Sequence, residues 1–464
     1  MKEIPADLVS TNPREIALVV LAHFLDPETD ASRLLHDLLR RGGVRGADAR
    51  LATDLALGVL RQRGRLDAAL EPMARRPWKR TPPIVRDLLR LGAYQMLFLD
   101  RIPAHAAVNE SVELARRWAT PGHAALVNAI LRWITRESPG PASASVPVNE
   151  KALPPQADWP RFYSHPPWLV QYFLEQYPAE PVAALLEWDN RTPALMLRAN
   201  RLRTTPEQLA ERLAGEGCEV ARVGWPAPES LTVTGPVGDV ASADWFLEGL
   251  ATVQDGAAQL IARLLSPRPG ERIVDWCAAP GGKSTHLAEL SDDQAHILAL
   301  DVDPQRLSQV AIQAERLGLR SVRTDLLRPE RVEGLTREPA DAVLVDAPCT
   351  GLGTIQRHPD IRWRRKLKDI ERSTKLQSEI LAAAARCVAP RGRLVYSTCT
   401  LGRAENERVV EQFLASHPEF ERADPSGGSD PVVRPFLNAR GELHTWPPEH
   451  GLDGFYAARL IRER

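Results

Sequence analysis

The sequence predicts a multidomain protein with three folded parts: an all-α N-terminal domain (1–136), a small α+β module (164–250) and an α/β doubly wound domain (251–464). Three observations carry that reading. Residues 1–136 repeat apolar side chains at helical spacing and hold almost no strand pattern. Six prolines crowd residues 137–163, ESPGPASASVPVNEKALPPQADWPRFY, and mark a semi-extended linker. From residue 251 onward, short β-rich runs alternate with helices, the rhythm of a parallel sheet wound on both faces.

In the N-terminal domain, Val85, Leu88, Leu89, Gly92, Met96 and Leu99 follow the i, i+3, i+4, i+7 spacing of a buried helix face. Similar stripes run through Ile16–Phe24, Leu51–Leu60 and Ala124–Ile134, so a bundle of about seven helices is expected. In the middle module Leu195–Ala199, Glu219–Val223 and Leu231–Val233 read as strands, and Thr205–Ala214 as a helix opened by Thr205-Pro206. The last domain offers strands at Arg272–Trp276, His296–Leu300, Ser321–Thr324, Ala342–Val345 and Arg393–Tyr396. Its helices include Gln305–Leu317, stopped by Gly318, and Lys375–Val388. Ligands of such sheets lie beyond the carboxyl ends of the strands, and every motif below falls at such an end.

The chain has 464 residues, 44% of them hydrophobic, which excludes long disorder, collagen-like structure and a small disulfide scaffold. Its net charge is 59 − 60 = −1, at first sight an argument against a nucleic-acid protein. That sum averages +5 over residues 1–140, −6 over 141–250 and 0 over 251–464. Two basic stretches stand inside it, 61–101 (10 basic, 4 acidic) and 357–375 (8 basic, 3 acidic). The first reads either as a solvated helix face or as an RNA-contacting surface. The second holds Arg357, His358, Arg362, Trp363, Arg364 and Arg365, a basic set around an aromatic that suits RNA phosphates and base stacking. Its alternative is a solvated helix start with Trp363 packed inward.

Five cysteines at 218, 277, 349, 387 and 399 form no C-x-x-C pair, and their odd number argues against a disulfide framework. The N-terminus lacks the apolar core of a signal peptide, and no uninterrupted apolar run reaches the roughly 18 residues of a membrane span. A soluble, reduced, cytoplasmic protein is expected. The 11 histidines show no ligand spacing with Cys or acids, so no metal is expected.

The first strand of the last domain runs into Asp275-Trp276-Cys277-Ala278-Ala279-Pro280-Gly281-Gly282-Lys283. Small residues and paired glycines let the backbone approach a ligand, and the following helix offers unpaired N–H groups. The pattern is neither G-x-G-x-x-G nor a P-loop. Asp301 stands 19 residues beyond Gly282, where such sheets set an acid against ribose hydroxyls. Together these describe a nucleoside-bearing cofactor, although Asp301 could instead be the N-cap of the Pro304 helix. Asp325 could contact an adenine amino group or cap its own loop. The next strand ends in Asp346-Ala347-Pro348-Cys349-Thr350-Gly351 and the one after in Tyr396-Ser397-Thr398-Cys399-Thr400, bringing two thiols toward one cleft. Cys218 and Cys387 read as inert packing, and Cys277 as backbone packing around the cofactor.

Cys277–Lys283 (CAAPGGK), Asp346–Cys349 (DAPC) and the Thr398-Cys399 pair resemble the signature of the Nol/Nop/Sun RNA cytosine-5 methyltransferases. His358–Trp363 and Asp453-Gly454-Phe455 are similar to further elements of that family, and the likeness spans the C-terminal two thirds of the chain. The helical domain, ending in Val127-Asn128-Ala129-Ile130-Leu131-Arg132, resembles the NusB-type RNA-binding fold. That fusion is typical of the bacterial Sun/Fmu-type enzymes that methylate 16S ribosomal RNA. The resemblance implies an RRM-like middle module and a Rossmann-like catalytic domain. It implies S-adenosylmethionine held by Cys277, Ala278, Ala279, Pro280, Gly281, Gly282, Lys283, Asp301, Asp325 and Asp346. It assigns attack on cytosine carbon 6 to Cys399 and loss of the carbon-5 proton with enzyme release to Cys349. Asp346 would hydrogen-bond or protonate ring nitrogen 3, and Lys283 would contact the cofactor or a phosphate and help ionise a neighbouring thiol. The chain departs from the family at Trp276, where a smaller residue is usual, at Ser284 in place of Thr, and in the Leu-Leu-Arg after Asp325. DNA cytosine methyltransferases attack with a Pro-Cys cysteine, so the reversed assignment, with Cys349 attacking, is the mechanistic runner-up. The same chemistry on transfer RNA, and a non-catalytic RNA-binding assembly factor, are the functional ones.

Overall fold

A computed structural model describes residues 4–26, 29–74, 77–137, 154–235, 237–328, 334, 338–424 and 430–463. The chain folds into two compact units, residues 1–192 with 355–365, and residues 193–354 with 366–464.

The first unit is helical. Among the described residues up to 137, where about seven helices were expected, stand six α-helices, Pro13–His23, Ala31–Gly42, Gly46–Leu70, Pro83–Phe98, Ala104–Trp118 and Pro121–Glu137, with two short 3₁₀ turns, Glu71–Met73 and Trp78–Arg80. Asn12 accepts from the Arg14 and Glu15 amides and Asp30 from the Arg33 amide, satisfying first-turn donors that otherwise lack partners. The apolar stripe of Pro83–Phe98 is the core: Val85, Leu88 and Leu89 are completely buried. Gly92 lies on that stripe because a Cβ there would stand 2.4 Å from Leu131, so only glycine lets the two helices approach.

This unit extends beyond residue 136. Residues 138–153 of the proposed linker lie outside the described residues, but its C-terminal end is folded, with Trp159 and Tyr163 buried. Residues 164–192, the first part of the segment read as the α+β module, form helices Pro167–Leu174 and Ala179–Trp188 and cluster with the helical unit.

The second unit opens with a four-stranded antiparallel sheet: β1 (Leu195–Ala199), β2 (Glu219–Val223), β3 (Ser230–Thr234) and β4 (Ala251–Val253), in the order β2-β3-β1-β4. Helix Pro206–Gly215 follows β1 and begins with a capping box between Thr205 and Gln208. β4 stands where the doubly wound domain was expected to begin, at residue 251, and it pairs with β1 of the smaller sheet.

The larger sheet contains β5 (Arg272–Asp275), β6 (His296–Asp301), β7 (Val322–Leu326), β8 (Ala340–Asp346), β9 (Val388–Thr398), β10 (Phe420–Arg422), β11 (Leu443–His444) and β12 (Tyr456–Arg462). Its order is β10-β12-β9-β8-β5-β6-β7, with β11 beside β12. β5 to β9 run parallel, but β12 is antiparallel to β9 and β10 to β12, so the sheet is mixed rather than purely parallel. Neighbouring residues of the central strands enter opposite cores: Ile273, Ala342 and Leu344 on one face, Val274, Val343 and Val345 on the other. That alternation is what a sheet covered by helices on both faces requires. Strand order reverses between β5 and β8, which places a crevice at their carboxyl ends.

Candidate active site

The carboxyl ends of β5, β6, β8 and β9 carry most of the residues singled out in the sequence. Parallel pairing sets Asp346 of β8 directly against Ser397 of β9. Both oxygens of Asp346 are engaged: the Ser397 hydroxyl donates to Oδ1 at 2.8 Å and Lys283 Nζ to Oδ2 at 2.6 Å. Burial works against the charge of Lys283, yet the Asp346 carboxylate overcomes it and holds the ammonium above its ordinary range. Lys283 Nζ also lies 5.3 Å from the centre of the Phe455 ring.

Beside this pair, the two thiols meet. Cys349 Sγ and Cys399 Sγ are 3.3 Å apart, and the Gly353 amide donates to the Cys399 carbonyl at 3.0 Å, tying the two loops through backbone. Hydrogen bonding to Cys399 is the main cause that pushes the Cys349 thiol well above its ordinary range; burial and the charges of Cys399 and Glu405 add to it. Cys349 is therefore held as the thiol. The other cysteines are unsuited to chemistry at neutral pH: burial pushes Cys387 up to about 11 and raises Cys218 and Cys277, the last also by Asp275, Asp346 and Asp301.

The loop after β5 is stitched to both neighbouring strands, by Trp276 N to Leu344 O and Ala278 N to Leu300 O, each 2.8 Å. Trp276 is buried in the sheet's core beside Val345 and Leu300, so the large residue packs beneath the loop. Gly281 has φ 106° and caps helix Gly282–Leu290; a Cβ there would also come within 3.0 Å of Val310 Cα. Asp301 accepts from the Asp303 amide at 3.0 Å and the Ala279 amide at 3.3 Å, which fixes its carboxylate beside the loop. Asp303 is the cap of helix Pro304–Leu317, accepting from Gln305 and Arg306, so the N-cap alternative belongs to it and not to Asp301. Asp325 accepts from the adjacent Leu326 amide at 2.9 Å, near the end of β7.

Sequence reading passed over two residues. Ser397, which orients Asp346, gave no signal beyond its place two residues before Cys399. Asp275 ends β5 completely buried; Ser284 donates to its Oδ2 at 2.7 Å, and its Oδ1 has no partner. An unpartnered buried carboxylate oxygen beside a loop of small residues fits a ligand that carries an ammonium group. Its position as the last strand residue before CAAPGGK was the available clue. Burial pushes Asp275 up to about 7, against the opposing Ser284 hydrogen bond. A carboxyl raised on folding supplies stability that is complete below its unfolded pKa and lost as pH rises through the folded one. The urea midpoint of the wild type is therefore expected to fall between pH 5 and 8, and that fall to shrink in Asp275→Asn.

The basic stretches are corrected. Ile355–Arg365 follows the Cys349 loop in sequence but packs within the helical unit. Arg362 is completely buried and donates to the carbonyls of Arg61, Ser164 and Asp189 and to Asn190 Oδ1, at 2.8–3.3 Å, so it is a structural cation and not an RNA contact. The Trp363 indole donates to the Leu60 carbonyl at 2.7 Å and packs, partly buried, against the helical core, which fits the inward-packed alternative better than a base-stacking ring. Arg364 is paired with Asp360 at 3.1 Å; Arg357, His358 and Arg365 are partly exposed. In the stretch 61–101, Arg61 donates to the Gln356 carbonyl, Arg65 to the Phe162 carbonyl, and buried Arg90 forks onto Asp67 and reaches Asp87. These three fit neither a solvated face nor an RNA surface. Arg362→Met should cost about 3–5 kcal/mol in urea unfolding, because buried acceptors and the Asp189 carboxylate lose their cation. An unchanged midpoint with weakened RNA binding would restore the RNA-contact reading.

Among the described residues no three His, Cys, Asp or Glu side chains gather as a metal site, and no helix is long and apolar enough to cross a membrane. Residues 262–461 match the family model for the 16S rRNA methyltransferases RsmB/F, residues 11–136 the NusB family, and residues 165–240 the ferredoxin-like domain of RsmF/B-like methyltransferases. The match for the middle module thus names a ferredoxin-like fold. The probable ribosomal RNA small subunit methyltransferase B of Synechocystis sp. is 36% identical, with 96% of this chain and 98% of that protein covered. Its Bacillus subtilis counterpart is 34% identical over 98% and 99%. Among solved structures, that of PH0851 covers the whole of both chains at 28% identity and a TM-score of 0.78. A methyltransferase homolog protein from Pyrococcus horikoshii covers 67% of this chain and all of its own at 30% identity and a TM-score of 0.56.

Proposed function

The chain belongs to the 16S rRNA methyltransferase RsmB/F family, and from that premise we propose that it methylates carbon 5 of a cytosine in 16S ribosomal RNA through a covalent Cys399–cytosine adduct. The observation that carries this reading is the pair of thiols 3.3 Å apart beside the Lys283–Asp346 ion pair. Carbon 5 of cytosine is a poor nucleophile. Addition of the Cys399 thiolate to carbon 6 breaks the aromaticity of the ring and makes carbon 5 enamine-like. In this scheme nitrogen 3 takes up a proton as the adduct forms, and Asp346, with Lys283 and Ser397 fixing both of its oxygens, accepts the hydrogen bond from that N–H and stabilises the adduct. The target base leaves its stack to reach the crevice.

The inequality of the thiols supports the assignment. Cys349 is held well above its ordinary range and is the poorer nucleophile of the two, which leaves the attack to Cys399. Once Cys399 is a thioether, the hydrogen bond and charge that hold Cys349 up are gone. Cys349 can then lose its own proton to solvent and, as thiolate, accept the carbon-5 proton; the C–H electron pair re-forms the 5,6 double bond and expels Cys399 from carbon 6 as thiolate. The 277–283 loop, Asp301 and Asp325 would hold S-adenosylmethionine, with Asp275 Oδ1 facing its ammonium; when bound, that cofactor supplies an electrophilic sulfonium methyl. Bisulfite sequencing of 16S and transfer RNA from a deletion strain tests the substrate. One 5-methylcytosine should vanish from 16S RNA; loss from transfer RNA instead would favour the alternative substrate.

A further inference from the structure

Two consecutive side chains beneath the site reach apart and each holds one cysteine loop. Glu405 is completely buried; its Oε1 accepts from the Thr350 amide at 2.9 Å and from Gln377 Nε2 at 3.0 Å, and its Oε2 accepts from the Thr350 hydroxyl. The same Gln377 amide donates to the Pro348 carbonyl at 2.9 Å, so both neighbours of Cys349 are gripped from the Glu405 side. Asn406 does the equivalent for the other loop: its Oδ1 accepts from the Thr398 hydroxyl and its Nδ2 donates to the Thr400 carbonyl at 2.9 Å. Both neighbours of Cys399 are thereby gripped. The Thr350 and Thr400 hydroxyls meet at 3.1 Å and close the ring, and Tyr396 OH donates to the Glu405 carbonyl at 2.6 Å, anchoring the pair to β9.

We propose that Glu405 and Asn406 form a bracket that sets the spacing of the two thiols, acting as positioning residues for the step that releases the methylated base. A buried carboxylate is costly unless donors surround it, and here its donors are the Thr350 amide and hydroxyl and the Gln377 amide that also holds the Pro348 carbonyl. The spacing matters because Cys349 must reach the carbon-5 proton while Cys399 is bonded to the adjacent carbon. Misplacing a reacting group by 1 Å can cost roughly 100-fold in rate. The release role rests on the thiol assignments above; the spacing role does not.

Two readouts separate them. Phenylarsine oxide bridges closely spaced thiols, and the wild type should bind it tightly, with Cys349→Ala as the control that removes the bridge. Glu405→Ala should weaken that binding at least tenfold, roughly the effect of lost proximity, and Glu405→Gln, which keeps the acceptor toward Thr350, should restore it. In RNA assays Glu405→Ala should slow turnover by roughly 100-fold and accumulate the covalent complex, again with rescue by Gln. If Glu405→Ala does not fold, Thr350→Val, which removes one hydroxyl from the ring, carries the same test at smaller amplitude. Unchanged arsenical binding in a folded Glu405→Ala protein, or weakening that Gln does not rescue, overturns the bracket. Weakened arsenical binding with no adduct in either Glu405→Ala or Cys349→Ala leaves the bracket standing and overturns the thiol assignments instead.

Discussion

Cys399→Ser is expected to lower methyl transfer by roughly 10⁴-fold or more, the scale on which removing a covalent nucleophile acts, and to leave no covalent complex with RNA. A serine hydroxyl in this position is not ionised at neutral pH, and nothing beside it is placed to remove its proton: Lys283 is itself held as a cation by Asp346. The loop should survive, because the bonds that shape it come from the Cys399 carbonyl and from Thr398 and Thr400, not from the thiol. A melting point near that of the wild type, with activity gone, is the expected combination. It separates loss of the nucleophile from loss of the fold.

Cys349→Ala is expected to do the opposite to the intermediate. Attack by Cys399 proceeds, but the carbon-5 proton has no nearby acceptor, so the enzyme remains bonded to RNA through a complex that survives denaturing electrophoresis. Turnover should fall by roughly 10²–10⁴-fold, the scale of a general acid–base contribution, while a single methyl transfer per enzyme persists. The removed side chain also contacts Cys399 Sγ at 3.3 Å in the free enzyme, so a modest slowing of the first transfer is consistent with the same geometry. Quantifying trapped complex against methyl groups transferred checks both halves.

Much of this site was legible because each motif occupies a strand end, where local sequence alone dictates backbone shape. CAAPGGK needs its glycine at φ 106°, and DAPC and STC follow runs of buried β-branched and aromatic residues, so pattern located all three. What pattern could not reach were partners distant in sequence. Ser397 meets Asp346 across 51 residues, and Arg362 meets the Arg61 carbonyl across 301. A basic run around a tryptophan looks the same whether its cations face solvent or buried carbonyls, which is why Arg362 and Trp363 were misread. The antiparallel β12 escaped because Tyr456–Arg462 mixes alanines and arginines without alternation, and its burial comes from β9 and β10 on either side. Glu405 and Asn406 escaped for the same reason as Ser397: their worth lies in four loop residues that only the folded sheet collects.

The most direct test of the central claim, that Cys399 is the attacking thiol, is peptide mapping of the trapped Cys349→Ala complex by mass spectrometry after nuclease and protease digestion. The thiol assignment predicts a cytosine nucleotide bonded to the peptide containing Cys399. A complex that forms with Cys399→Ser instead, its nucleotide bonded to Cys349, would contradict it.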